Sequence, residues 1–177
     1  FKKATLFNKD IKFWDTSSIE NMTEMFSETD SFNQDISSWN TSNVIYMSYM
    51  FYNAIAFNEP INSWNTSSLE LATGMFHGAK SFNNELSDWD TSKVNSMDGM
   101  FRESLQFNSD ISKWDTSKVI AMAFMFKNAS AFNQNLSEWC VEKIPQEPSD
   151  FSQGSALFEI NKPNWGSCPS SKKNYIK

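Results

Sequence analysis

Residues 32–56 read FNQDISSWNTSNVIYMSYMFYNAIA, and the chain repeats this stretch along most of its length. Trp39 has counterparts at Trp14, Trp64, Trp89, Trp114 and Trp139, each 25 residues from the next. The Phe32-Asn33 pair recurs as Phe7-Asn8, Phe57-Asn58, Phe82-Asn83, Phe107-Asn108 and Phe132-Asn133. The Met50-Phe51 pair recurs as Met25-Phe26, Met75-Phe76, Met100-Phe101 and Met125-Phe126. A fixed period of this size means that no unit buries its apolar residues alone and each must stack on its neighbours. Composition agrees: 16 Phe, 7 Trp and 9 Met supply an aromatic and thioether core.

Within the quoted unit, Val44, Met47, Met50, Phe51 and Ala54 fall on one face of a helix. Helices are therefore expected at residues 18–27, 43–52, 68–77, 93–102 and 118–127. The Asn40-Thr41-Ser42 stretch ahead of the second supplies a Ser N-cap, and Ser17 with Glu20, and Ser67 with Glu70, have capping-box spacing. Phe32, Ile36 and Trp39 do not alternate, so only a short strand is expected around Asp35-Ile36-Ser37, paired in parallel with its counterparts. The fold class is thus α/β, a right-handed leucine-rich-repeat-like solenoid with a short strand and a short helix in each unit. The repeated Asn column, Asn8 to Asn133, is expected to turn inward and cap backbone groups at a bend.

Residues 1–139 form the repeat region, which starts mid-repeat because Phe1 aligns with Phe26. Residues 140–168 form a capping unit of the same domain, and residues 169–177 a polar tail or linker. The cap breaks the pattern. Pro145 and Pro148 stand where the helix would run, so no helix is expected at 143–150. Asp150 replaces the Met before Phe151, and one residue is inserted before Phe158. The two cysteines, Cys140 and Cys168, lie just after Trp139 and Trp165, which places them at the same corner of adjacent units. A disulfide fits that placement and would imply an oxidising compartment; two unrelated buried thiols are the alternative.

The unit W-[DN]-T-S-x-V-x-x-M-x-x-M-F, with F-N-x-x-I-S-x-W, resembles the BspA-type leucine-rich-repeat surface proteins of bacteria, and similar repeats occur in some protists and mycoplasmas. The cap around Cys140, Phe151, Asn161-Lys162-Pro163, Trp165-Gly166 and Cys168-Pro169 is similar to the endings of such proteins in marine bacteria. Departures are Ala72 for the first Met of its unit, and Thr29 and Ser104 for the small Ala. The resemblance implies a surface location and a part in adhesion; it supplies no catalytic or binding residue.

Composition narrows the function classes. A single His argues against His-based triads and most metal sites, and five separated Gly make no phosphate loop. A net charge of −6 disfavours a nucleic-acid partner. No basic amphipathic face or membrane-length apolar run is present, so direct membrane insertion is not expected. The expectation is a monomeric, extracellular or cell-surface binding module without enzymatic activity or cofactor, recognising a protein or glycan. Its candidate surface flanks the strand: Asp10, Asp35, Glu85 and Asp110 before it, with Lys12, Ser37, Asn62, Ser87 and Ser112 after it. A structural spacer in a larger surface protein is the main alternative. Two lesser ones are calcium binding by the column of acids, which Pro60 interrupts, and ice binding by Thr16, Thr41, Thr66, Thr91 and Thr116. The Asn-x-Ser/Thr sequons at Asn21, Asn40, Asn65, Asn128 and Asn135 read as by-products of the repeat.

Overall fold

The computed structural model describes residues 1–170. Successive units stack face to face, as the aromatic rings show most directly. Phe26, Phe51, Phe76, Phe101 and Phe126 form one ladder, with ring centroids 5.5–5.8 Å apart and nearly parallel planes. Phe32, Phe57, Phe82, Phe107 and Phe132 form a second at 5.7–6.1 Å. Within a unit the two ladders touch, as Phe51 and Phe57 do at 3.9 Å. Trp64, Trp89, Trp114 and Trp139 form a third ladder at 6.3–6.4 Å. Trp14 is stacked on one side only and is 48% exposed. The indole nitrogens are buried donors and need acceptors. The Trp39, Trp64, Trp89 and Trp139 indoles each donate to the carbonyl of the Ile found 28 residues earlier, at 3.0–3.2 Å, and Trp114 donates likewise to Leu86.

The five expected helices are not formed. Each segment is instead a run of tight turns, and the reason is visible in where the amide hydrogens go. In an α-helix every interior N–H bonds within the helix, and none is left for a neighbour. Here Met22, Glu24, Phe26 and Glu28 donate to Tyr46, Ser48, Met50 and Tyr52 of the next unit at 2.6–3.0 Å. The amides between them, Met25 and Ser27, close turns onto Met22 and Glu24 at 3.1 Å. Alternating the two duties requires a left-handed residue every fourth position, and Glu24 and Glu28 both have φ of 56°. The same conformation recurs at Tyr49, Gly74, Gly99 and Phe124, and at Asn53, Gly78, Glu103 and Asn128. The apolar spacing that suggested a helix is the spacing of these turns.

The short strand at Asp35-Ile36-Ser37 is absent as well. Parallel pairing occurs ten residues later, as single bridges from Asn21 to Tyr46, Leu71, Ser96 and Ala121 in turn. The Ile36 carbonyl is engaged by Trp39 N–H at 3.1 Å and by the Trp64 indole. Among the described residues the one regular helical element is a 3-10 turn, Glu159–Asn161.

The Asp/Asn-Thr-Ser triplets are not helix caps. Asp15, Asn40, Asn65, Asp90 and Asp115 each accept the N–H of the Ser two residues on, at 2.9–3.1 Å, which is an Asx turn. The Thr between them is buried. Thr16, Thr41, Thr66, Thr91 and Thr116 donate their hydroxyls to the next unit's backbone carbonyl at 2.9–3.0 Å. The Asn column does serve backbone groups, but at the surface rather than turned inward. Each Asn Oδ1 accepts the N–H of the following Asn, from Asn33 on Asn8 to Asn133 on Asn108, at 2.7–3.0 Å.

The cap differs from the expected alignment in one respect. Phe101 donates to Met125, 24 residues on, whereas Phe126 donates to Phe151, 25 on. The extra residue therefore enters before Ser149, in the proline-bearing segment, and not before Phe158. The offset is recovered by Leu157, which is buried, while Phe158 is 63% exposed and its N–H lies on Asn133 Oδ1. No helix forms at 143–150. Cys140 and Cys168 form a disulfide, with sulfurs 2.12 Å apart. Phe151 meets Phe126 and Trp165 edge-on at 5.4 and 4.9 Å, which ends the parallel stack. Most of the tail expected at 169–177 lies outside the described residues.

Candidate functional site

Most columns in this stack are uniform because the fold uses their side chains. The turn segments are the exception. There the fold asks only for a left-handed backbone, and the side chains change from unit to unit: Glu24, Tyr49, Gly74, Gly99, Phe124 in one column and Ser27, Tyr52, His77, Arg102, Lys127 in another. All of these except Lys127 line an open groove of about 540 Å³, together with Glu28, Thr73, Asp98 and Ala123.

The two glycines make the hollow. The Tyr49 ring leans across the neighbouring unit, so that a side-chain carbon at Gly74 would run into it. Gly99 has no such cover: a carbon there would meet only Arg102 Cβ, at 3.9 Å. The groove is thus walled by Tyr49 on one side and Phe124 on the other, with bare backbone between. Tyr52 packs edge-on against both Tyr49 and His77, at 6.0 and 4.9 Å. The Arg102 guanidinium and the Lys127 ammonium lie 5.8 and 5.5 Å from the Phe124 ring centre, within cation–π range. Thr73 and Ser96 share a hydroxyl hydrogen bond of 2.8 Å, and Asp98 accepts the Ala123 N–H at 2.6 Å. Burial and then the Arg102 charge hold the His77 pKa below its ordinary value, against a smaller opposing pull from Glu103.

None of the residues expected to form the binding surface lines this groove. They do lie at the surface, and the side chains of Asp10, Lys12, Asp35, Ser37, Asn62 and Asp110 are engaged locally. Asp10, Asp35 and Asp110 accept the N–H two residues on, from Lys12, Ser37 and Ser112, at 2.9–3.0 Å. Lys12 also pairs with Asp35 at 2.6 Å. That ammonium, together with the Ser37 hydroxyl and amide, holds the Asp35 carboxyl well below the usual carboxylate range. Asn62 exchanges bonds with Asp88 in the next unit at 2.7 and 3.0 Å. Glu85 is exposed and Ser87 half-buried. At Asp10, Asp35, Asp110 and Asn135 the column is turn chemistry, which also explains the spacing of those three acids without calcium. Among the described residues no three His, Cys, Asp or Glu side chains converge as a metal site would require. The Thr column is buried and hydrogen-bonded inside the stack, so it offers no ice-binding face.

Sequence reasoning missed the groove because its residues were assigned to the buried and exposed faces of helices. A signal was present: Gly74, Gly78 and Gly99 are not scattered but fall in the two left-handed columns.

A family model described as Mycoplasma protein of unknown function, DUF285, matches residues 1–86 and again residues 63–165. No curated protein and no solved structure matches the chain.

Proposed function

Since the chain belongs to the DUF285 family, whose function is unknown, we propose from its own geometry that it is a binding module acting through the turn face. The observation that carries this reading is the contrast between columns. Thr, Asn and Trp recur because the stack needs their atoms, whereas the groove columns hold four residue types in one and five in the other on the same backbone. Variety that folding does not demand is where a recognition surface resides, and concave sites with a few convergent polar groups are the usual form of one. The stack is read as a leucine-rich-repeat-like solenoid whose helix is replaced by turns, in keeping with the resemblance to BspA-type surface proteins. The Cys140–Cys168 disulfide supports a place outside the reducing cytosol, at or beyond the cell surface.

The test is an array of extracellular proteins and glycans probed with the whole chain. A ligand is expected whose capture falls when Tyr49→Ala and Phe124→Ala are combined, and is unchanged in Lys12→Ala. Capture lost in Lys12→Ala but retained in the double variant would move the site to the Asp-Ser column. Absence of any ligand would favour a spacer, the reading supported by the uniformity of the remaining columns.

A further inference from the structure

We propose that the occupant of the groove is a neutral oligosaccharide, bound across Gly99 between Tyr49 and Phe124; this rests on the turn face being the binding face. Three observations point to that chemistry. First, the backbone at Tyr49, Gly74 and Gly99 is not available. Tyr49, Gly74 and Gly99 donate their N–H groups to Thr73, Asp98 and Ala123 at 2.7–2.8 Å. Their carbonyls accept from Tyr52, His77 and Arg102 at 3.0–3.1 Å. A peptide that binds by adding a strand needs a row of free backbone partners, and these three residues give it none.

Second, the charges around the groove are mostly matched in pairs, and Asp98 accepts the Ala123 N–H instead. Lys2 meets Glu24 at 2.7 Å, Arg102 meets Glu103 at 3.3 Å, and Lys127 meets Asp150 at 2.7 Å. No block of one sign is left to draw a polyanion or a polycation, so electrostatic complementarity selects an uncharged partner.

Third, the groups that do face the groove suit a ring with apolar faces and a hydroxylated rim. Tyr49 and Phe124 are wide apolar surfaces set on either side of bare glycine backbone, so a pyranose ring can lie flat where a side chain would otherwise stand. Thr73, Tyr52, Asp98 and Arg102 supply donors and acceptors of the kind that hydroxyl groups use. The hollow is open along the stack, so it accommodates a chain of sugars rather than a single enclosed residue.

Calorimetric titration of the whole chain with neutral hexasaccharides of glucose, xylose and N-acetylglucosamine tests the assignment. Binding to at least one is expected, with a dissociation constant on the order of 0.1 mM for so open a site. Gly99→Tyr fills the hollow with an aromatic side chain, as the equivalent Tyr49 and Phe124 already carry at φ of 57° and 59°, so the stack accommodates it. It should weaken binding by about tenfold or more, and Tyr49→Ser should do the same by removing one wall. Saccharide binding unaffected by both variants would overturn the location. No binding to any of the neutral saccharides would overturn the inference. If a protein or charged glycan then bound in their place and Gly99→Tyr abolished it, the binding-face reading would survive and only the ligand class would fall.

Discussion

The column of Thr16, Thr41, Thr66, Thr91 and Thr116 and the column of Glu24, Tyr49, Gly74, Gly99 and Phe124 are both regular, but in different currencies. The first repeats a side chain, because each hydroxyl must reach the next unit's carbonyl. The second repeats a φ between 56° and 59° and lets the side chain vary. A stack can therefore be rigidly specified on one side and freely decorated on another. The decorated side is found by asking what the fold uses, backbone or side chain, and not by asking which columns look orderly.

The sharpest way to break this comparison is on the side-chain half. Trp64→Ala removes a buried ring from the middle of a ladder and leaves a cavity, so unfolding by urea should show a loss of about 3–5 kcal/mol. Trp14→Ala, stacked on one neighbour and half exposed, should lose clearly less. Equal losses would mean that the ladder contributes no inter-unit support. Next in size is the cap. Opening the disulfide with Cys140→Ser and Cys168→Ser together should cost about 3–4 kcal/mol for a loop of this length, read in the same urea titration; an unchanged midpoint would show that the terminal unit holds without it.

Thr66→Val keeps shape but strands the Asp90 carbonyl, and a loss of about 1–3 kcal/mol is expected from the unpaired group. On the other half of the comparison, Tyr49→Gly should change stability by no more than about 1–2 kcal/mol, since relief of the left-handed strain offsets the lost ring contacts. A loss as large as that of Trp64→Ala would show that the fold depends on this side chain after all. The smallest effect concerns pH. His77 has a folded pKa below its ordinary value, so the folded state takes up its proton later than the unfolded one. Its contribution to stability is complete above about pH 6.5 and declines as pH falls through the folded value. His77→Gln should flatten the melting temperature over that acidic range.

These columns also show how much was legible beforehand. The 25-residue period and an aromatic core built from the Phe and Trp columns follow from spacing, and spacing places Cys140 and Cys168 at one corner, where the structure shows the disulfide rather than two separate thiols. The backbone was misread because Met47, Met50, Phe51 and Ala54 satisfy a helix and a run of turns equally well. What separates the two is the destination of the amide hydrogens, which depends on the neighbouring unit and has no local signature except a left-handed residue. Glycine marks such residues at positions 74, 78 and 99, but Glu24, Tyr49 and Phe124 adopt the same φ without advertising it. The regular polar columns are legible in the sequence too, but not that Ser37 donates its amide and hydroxyl to Asp35 to close a turn.

The disulfide at the end of the stack has a mechanical consequence. Units held to one another by bonds running from each to the next separate in sequence when the chain is pulled by its ends. Each unit of 25 residues that peels away lengthens the tether by about 85 Å. The final unit is different, because the segment between Cys140 and Cys168 is a covalent loop and contributes none of its length. Under load the stack behaves as an extensible spring with one inextensible link, and that link joins the repeats to whatever follows Cys168.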